Sequence, residues 1–502
     1  MRRLVIAWGL AAASLAALAQ APVPAAPAVS LEDCLQRALE KNLDLRIARY
    51  EPLRAQTDLQ AAFAGYNPAL TLGGGHQYSK SGGGFSPEIG AIPATTTDED
   101  RFESGLSGLA PLGLQYRLQG NVSESRGKRF QPPLMLPFDS ANGLASLSLA
   151  QPLLKNLWMD QTRFHIRVAR NRIQYTELGL QQAIMNTVTA VEKAYYDLVS
   201  AHENVAVQEK AVELAAQSLK DTQRRREVGT VADLEVKQAE AQAASTQAAL
   251  IAARSALAVQ QNNLQQLITD DYAAARPMDL RPAAALGAPA RVLDKQLSWG
   301  KGLRQRPDLL QARLDLERQG ILLKYHYNQL FPELDLVGSY GHGAGGAGVS
   351  EFSQAFHQIN RGNRPFYSYG AQLTFPLGNS GARAAYKKSK LEKEQLLLAL
   401  KRLEQDIMVA IDNDINRARS SYQQVAATRA AREYAQAALE AEQIKSQAGS
   451  SILYLVLQMQ RDLTAARGNE IQALAAYNKT LTQLSLDEGS TLERLGIHLE
   501  LK

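Results

Sequence analysis

Few residues of this chain combine the types and the spacing that a chemically reactive site needs. The only cysteine, Cys34, excludes an intrachain disulfide, and Leu31-Glu32-Asp33 before it lacks the small residues that precede an acylated lipoprotein cysteine. The seven histidines are His76, His165, His202, His326, His342, His357 and His498. They show no spacing typical of a zinc site, and no Ser/His/Asp or Cys/His set stands out. The sequence therefore predicts no catalytic residue, no cofactor, no metal site and an unmodified Cys34.

Two further segments resemble ligand-binding loops only superficially. Residues 341–346 are glycine-rich, but they lack the Lys-Ser/Thr pair of a phosphate loop and do not begin a helix. Asp412-Asn413-Asp414 lies on a predicted helix and not in a glycine-turned calcium loop. We interpret the first segment as an ordinary loop and the aspartates as solvated or lumen-facing charges.

The amino-terminal sequence is typical of an exported protein. Arg2 and Arg3 precede an apolar run from Leu4 to Ala19, and small residues follow, which predicts a signal peptide over residues 1–21. The formal net charge of +5 on 502 residues includes no basic block, so a nucleic acid partner is not expected. No later segment approaches the ~18 consecutive apolar residues of a membrane helix. The chain is therefore expected in the periplasm, outside the cell, or in an outer membrane as a β-barrel.

The chain contains an internal repeat. Asn67-Pro68-Ala69-Leu70 aligns with Phe331-Pro332-Glu333-Leu334, and Gly229 aligns with Gly449 within two long helical patterns. The first repeat, 22–298, is predicted to contain a helix, outer-membrane strands at about 68–151, a helical hairpin at about 158–268 and an inter-repeat segment, 269–298. The second repeat, 299–502, is predicted to contain a helix, strands at about 333–376, a helical hairpin at about 381–485 and a carboxy-terminal tail.

Alternating residues predict strands with one polar and one apolar face. Between positions 112 and 123, apolar residues such as Tyr116 and Leu118 alternate with polar ones, and positions 367–375 repeat the pattern. Such strands fit a membrane barrel with a wet lumen, and a soluble β-layer is the alternative. The candidate lumen residues are Gln115, Arg117, Gln119, Asn121, Gln372 and Thr374. Residues 79–100 are predicted to be a long polar loop.

Long proline-free segments predict unusually long helices. The first repeat has one from Met159 to Arg226 and a partner over 231–268, and the second has one over 383–447 and a partner over 452–484. The first helix alone would span roughly 100 Å. Each pair is joined at a glycine, which permits the backbone conformation of a tight helix reversal.

Several short motifs, in their order along the chain, carry a resemblance to a known family. They are Gln151-Pro152-Leu153-Leu154, Ala194-Tyr195-Tyr196-Asp197-Leu198, Arg226-Glu227-Val228-Gly229-Thr230, Arg306-Pro307-Asp308-Leu309, Phe331-Pro332-Glu333-Leu334 and Phe375-Pro376-Leu377-Gly378 with Gly381 and Arg383. Over nearly the whole mature chain, the sequence resembles the outer membrane efflux proteins, the TolC-like channel family. Each motif alone is weak evidence for the family, but their order and spacing together are specific to it.

The resemblance implies an internally duplicated α+β membrane protein that forms a homotrimer. A transmembrane β-barrel would cross the outer membrane of a Gram-negative bacterium, among its lipids, and continue into a long periplasmic α-helical coiled-coil barrel. The implied partners are a periplasmic membrane-fusion adaptor and an inner-membrane RND, ABC or MFS transporter. The expected function is the outer membrane channel of a tripartite efflux or type I secretion system, which conducts cargo passively.

The resemblance also implies that the hairpin tips dock the adaptor and set the closed state of the channel. The tip residues are Gly229, Thr230, Asp233, Glu235, Gly449, Ser450, Tyr454, Leu455 and Gln458. Relatives commonly carry an Asp early in the helix after the turn, where this chain has Glu235 in the first repeat and Leu455 in the second. The tip residues can alternatively be ordinary helix-packing positions.

A second departure concerns the number of strands. The first repeat is longer than the second between Ser79 and Gly143, and this excess contains the clear strand 112–123. A short strand near Ser104–Leu109 would complete a hairpin, which gives the hypothesis of six strands per subunit in place of four.

The alternative function is an exported coiled-coil structural or adhesin-like envelope protein, which would explain the helices but not the paired strand units.

Overall fold

The computed structural model describes residues 28–275, 280–283, 285–448 and 450–497. The predicted signal peptide, 1–21, and the predicted turn residue Gly449 lie outside these described residues. Two compact units are present. The helical unit consists of the chain up to Asn42, Ala190–Ala290 and Ala418–Thr480, and the sheet unit consists of Leu43–Thr189, Arg291–Arg417 and the chain from Leu481.

The elements alternate between short helices, strands and long helical hairpins, in the same order in both repeats. The first repeat contains β1 (Ala28–Val29), α1 (Leu31–Lys41), α2 (Leu43–Ala48), α3 (Tyr50–Ala62), a 3₁₀ helix (Phe63–Tyr66), β2 (Ala69–Ser81), β3 (Gly84–Ser86), β4 (Gly90–Ile92), β5 (Thr95–Leu109), β6 (Gln115–Gln131), β7 (Leu134–Pro152), α4 (Gln161–Glu227), α5 (Asp233–Ile268), α6 (Tyr272–Ala275) and β8 (Arg281–Pro282). The second contains α7 (Lys295–Gln305), α8 (Pro307–Asn328), β9 (Glu333–Ala344), α9 (Phe352–Arg361), β10 (Pro365–Thr374), α10 (Ser380–Gln447), α11 (Leu453–Asp487) and α12 (Thr491–Arg494).

The long helices lie close to where the sequence predicts them. Helix α4 has 67 residues and α10 has 68, so each extends about 100 Å at 1.5 Å per residue. Their composition explains their length, since Ala, Leu, Gln, Glu, Lys and Arg dominate and no proline interrupts either helix. In each hairpin the long helix is followed by a shorter one, so that α4 is joined to α5 and α10 to α11.

One antiparallel sheet contains six strands in the order β10-β9-β7-β6-β5-β2. The hypothesis of an additional hairpin in the first repeat is therefore confirmed for this chain, because β5 and β6 pair along Thr96–Leu109 and Gln115–Lys128. The sheet is not closed within the described residues, since β2 and β10 each pair with a single neighbour in it.

The predicted strand bounds and the predicted long loop are partly wrong. Residues 79–100 are mainly strand, because β2 runs to Ser81, β5 starts at Thr95, and the small β3–β4 hairpin lies between them. Pairing between strands satisfies the hydrogen-bonding groups of the backbone whether the side chains are polar or apolar. These strands can therefore continue into polar sequence. At the other end, Gly113 has φ 85° in the turn that precedes β6, so the strand begins at Gln115 and not at position 112.

The sheet unit has an apolar core where α8, α10 and α11 meet. Leu309, Ile407, Ile411, Ile415 and Leu484 are buried there, and Trp299 and Leu303 of α7 pack against them. The Arg306-Pro307-Asp308-Leu309 motif positions this core. Its proline is the first residue of α8, its arginine forks onto the Asp308 carboxylate at 3.0 and 2.7 Å, and its leucine is fully buried.

The helical unit contains α1 and the inter-repeat segment as far as Ala290. Ser30 caps α1, since its hydroxyl accepts from the Asp33 N–H while the Asp33 carboxylate accepts from the Ser30 N–H. The inter-repeat segment packs against the long helices, where Tyr477 Oη donates to the Pro289 carbonyl at 2.7 Å. Strands β1 and β8 pair in parallel beside it.

Candidate functional site: one polar sheet face and two hairpin tips

Strand register assigns every side chain of the sheet to one of two faces, because directly paired residues point to the same side. The polar face carries Thr71, Gln77, Glu103, Gln115, Arg117, Gln119, Asn121, Ser146, Ser148, Ser339, Ser368, Gln372 and Thr374. The apolar face carries Leu70, Leu72, Phe102, Leu106, Tyr116, Leu118, Val122, Leu147, Leu149, Leu336, Tyr340, Tyr367, Tyr369 and Leu373. All six candidate lumen residues therefore share one face.

The polar face is continuous across the strands. Arg117 pairs directly with Ser148, Ser148 with Ser339, and Ser339 with Ser368. The hydroxyls of the last two residues lie 2.7 Å apart. A row of small hydroxyl side chains beside an exposed guanidinium is the kind of surface that water and polar solutes wet.

The apolar face is exposed on the isolated chain, and a helix that the sequence did not predict covers one end of it. Tyr369 is 85% exposed and Leu72 is 76% exposed. Helix α9 packs on β6 and β7, with the Phe352 ring edge-on to Phe102 at 5.2 Å. We predicted no helix between the strands of the second repeat, yet Phe352, Ala355, Phe356 and Ile359 have the i, i+3, i+4, i+7 spacing of a helix.

The two hairpin tips share one hydrogen-bond pattern. After α4, both the N–H and the hydroxyl of Thr230 donate to the Arg225 carbonyl, each at 2.9 Å. After α10, the N–H and hydroxyl of Ser450 donate to the Lys445 carbonyl at 2.9 and 3.1 Å. Gly229 has φ 78°, a conformation that other residues adopt only with strain.

The tips differ in their charged contacts. Across the first turn, Arg226 Nε lies 2.5 Å from Asp233 Oδ1. Across the second, the Ser451 hydroxyl donates to the Glu442 carboxylate, which also pairs with Lys445 at 3.3 Å. The serine hydrogen bond, and then the lysine, lower the pKa of Glu442.

The predicted tip residues separate into exposed and packed positions. Thr230, Asp233, Ser450, Tyr454 and Leu455 are exposed, and Tyr454 is 49% exposed. Glu235 and Gln458 are half-buried, and Val456 and Leu457 beside the latter are buried inside the hairpin. The first group is available for contact with another molecule, and Glu235 and Gln458 are less accessible.

One of the predicted solvated aspartates is buried. Asp414 is 3% exposed, and Arg417 Nη1 approaches it at 3.3 Å. Burial, followed by the proximity of Asp487, raises the pKa of Asp414 to about 7. The interpretation of Asp414 as a solvated or lumen-facing charge is therefore wrong, because the helix pattern did not reveal that α11 ends beside it.

None of the described helices is both long enough and apolar enough to cross a membrane. A sheet with one polar and one apolar face, joined twice to long helical hairpins within a repeated chain, is the architecture of an outer membrane channel with a helical extension. The chain belongs to the outer membrane efflux protein family, whose model matches residues 137–269 and 300–486.

Individual relatives and solved structures agree with this assignment. Outer membrane efflux protein BepC of Brucella suis biovar 1 (strain 1330) is 24% identical over 368 residues, which cover 73% of this chain and 75% of BepC. The outer-membrane channel OprN superposes with a TM-score of 0.68 at 18% identity over 92% of this chain and 90% of OprN. VceC of Vibrio cholerae superposes with a TM-score of 0.66 at 16% identity over 91% of this chain and 96% of VceC. The fold is that of the TolC-like channels.

Proposed function

We propose that three copies of this chain form a water-filled duct through the outer membrane, which conducts cargo passively and without catalysis. The polar sheet face would line the lumen, and the apolar face would meet lipid. The long helical hairpins would continue the duct through the periplasm. Energy for transport would come from an inner-membrane RND, ABC or MFS pump.

The open edges of the six-stranded sheet carry this proposal. Backbone N–H and C=O groups in lipid must be paired, yet β2 and β10 are terminal strands of an apolar-faced sheet in the described chain. Pairing β10 of one copy with β2 of the next satisfies both edges, and three copies give a barrel of about eighteen strands. An exported structural coiled coil would leave this sheet unexplained.

The pore itself is testable with the purified full chain. In detergent we expect a trimer by sedimentation, and in planar bilayers we expect discrete conductance steps. A stable monomer, or a trimer that never conducts under any voltage, would contradict the duct. A cryo-EM map with a barrel of a different strand number would contradict only the closure scheme.

The adaptor would dock at the exposed tip residues. Tyr454 and Leu455 present apolar surface at the start of α11, and Thr230 and Asp233 present polar groups at the other tip. A photo-crosslinking amino acid at Tyr454 should capture a periplasmic protein in living cells. The matched control is Tyr434, which is 75% exposed on the same hairpin and lies about 20 Å from the end of α10. Equal capture at both positions would contradict docking at the tip.

A further inference from the structure

Strand pairing brings together three side chains that the sequence separates. His76 on β2 pairs directly with Asp100 on β5, and Tyr78 pairs with Asp98. Asp98 and Asp100 therefore share the sheet face of His76. Sequence spacing gave no sign of this group, because its members come from two strands and meet only through the register of the sheet.

The donor atoms converge at distances that suit a small divalent cation. His76 Nδ1 lies 2.9 Å from Asp100 Oδ1 and 3.3 Å from Asp98 Oδ1, and the three groups can offer ligand atoms that all lie within 4.8 Å of one another. Zinc binds imidazole nitrogen and carboxylate oxygen at about 2.0–2.2 Å, so tetrahedral ligands lie about 3.3 Å apart. Small side-chain rotations would complete this geometry without moving the paired backbones.

The surroundings of the cluster carry an excess of negative charge. Glu124 pairs with Asp100 on the same face, and Asp139 pairs with Arg126 beside it. Arg126 is already engaged, since it bonds the Glu124 carboxylate and lies 3.8 Å from Asp139. One guanidinium thus lies among four carboxylates on the sheet face that carries His76. Lys80 and Lys128 lie beyond it along the strands and do not enter this set of contacts.

We propose that His76, Asp98 and Asp100 bind a divalent transition metal ion such as Zn²⁺, with water completing its coordination. The side chains are about half-exposed, so an ion can enter from solvent. They share the sheet face of Leu70 and Leu72, which under the proposed function meets lipid. They stand, however, on the sheet half that is remote from the long helices, where polar residues of β2 follow the apolar ones, so the site would lie beyond the lipid. The ion would fasten β2, the terminal strand of the sheet, to β5.

Calorimetric titration of Zn²⁺ into the purified, metal-free full chain tests this site, with any histidine tag removed. We expect one ion per chain. His76→Ala and Asp100→Asn should each weaken binding at least about tenfold, a loss that even the groups supporting metal ligands cause when removed. X-ray absorption at the zinc edge should show only nitrogen and oxygen ligands, including one imidazole.

Two matched controls keep the outcome interpretable. His357→Ala removes an exposed histidine on α9, and Glu99→Gln removes a carboxylate of β5 that lies on the opposite face of the sheet. Both should bind Zn²⁺ as the unchanged protein does. If His76→Ala does not fold, Asp98→Asn replaces it. No saturable binding up to about 1 mM Zn²⁺, which is the weak limit for extracellular calcium modules, would overturn the proposal. Equal affinity in the triad variants and the controls would overturn it as well.

Discussion

Asn42 and Arg306 occupy equivalent positions in the two repeats, and each donates a side-chain hydrogen bond to the last turn of the corresponding hairpin. Asn42 Nδ2 donates to the Leu267 carbonyl at 3.0 Å, and Arg306 Nη1 donates to the Asp487 carbonyl at 3.4 Å and to its carboxylate at 3.2 Å. Carbonyls at a helix end lack partners within the helix, so both residues supply a missing donor. The duplication therefore preserves a contact while changing the residue that makes it.

Arg306→Ala should destabilise the protein more than Asn42→Ala. The arginine side chain is 18% exposed and pairs with two carboxylates. Its loss leaves these partly buried carboxylates without a counter-charge and should cost about 3 kcal/mol of stability. The amide of Asn42 makes a neutral bond, and its loss should cost about 1 kcal/mol. Thermal unfolding followed by circular dichroism measures both. The exposed Arg304→Ala is the control, and a similar loss there would refute the assigned role of Arg306.

Local patterns predicted the parts of this fold that depend on neighbouring residues. Gly229 predicted the reversal after α4, and the capping box of Ser30 and Asp33 is a similarly local signal for the start of α1, because both depend on a few adjacent residues. The burial of Asp414 and the meeting of His76 with Asp100 depend on which distant elements pack together, so no local pattern revealed them. Alternation in β6 predicted the two faces but not the ends of the strand.

The buried carboxyl group of Asp414, which lies beside Asp487, should make stability depend on pH in an unusual direction. The pKa of Asp414 rises from its ordinary 3.8 to about 7 in the folded state, so the folded state binds this proton more tightly than the unfolded state does. The contribution of Asp414 to stability is therefore largest below pH 4 and falls as the pH rises to about 7. Groups that face it are Asp487 and Arg417, and Arg306 pairs with the former.

Asp414→Asn should flatten this part of the stability profile, since an amide does not titrate. Unfolding midpoints of both proteins between pH 4 and 7.5 would show it. Asp406→Asn, an exposed carboxylate on the same helix, should leave the profile as it is. If Asp414→Asn keeps the wild-type slope, Asp414 is not the titrating group.

Cys34 should be almost inert in the native protein. Its side chain is fully buried in α1, and burial raises the pKa of the thiol to about 11. At pH 8 only about one thiol in a thousand would be ionised. An aromatic disulfide reagent should therefore react fully only after denaturation. Gln36→Cys in a Cys34→Ser background places an exposed thiol on the same helix and should react at once; fast native reaction of Cys34 itself would contradict its burial.

Gly229→Ala should loosen the first hairpin tip. A φ of 78° costs a residue with a Cβ about 1 kcal/mol or more, even though nothing lies within 4 Å of the added atom. Hydrogen exchange at the Thr230 amide, which donates to Arg225, should accelerate roughly fivefold for each kcal/mol. Gly468→Ala within α11 meets only ordinary contacts and should stabilise its helix slightly. Unchanged exchange at Thr230 would show that the turn tolerates alanine.

The proposed lumen makes a prediction about ion selectivity. Arg117 is exposed on the polar face, and Lys128 is exposed on the opposite face of the same strand. Arg117→Glu and Lys128→Glu change the net charge by the same amount, so any difference between them reports which side faces the conducting path. In a bilayer with a salt gradient, Arg117→Glu should shift the reversal potential toward cation selectivity, because charged rings lining a pore set its selectivity. Lys128→Glu should leave it near the wild-type value. If the effects were reversed, ions would pass along the apolar face, and the assignment of both faces would be wrong.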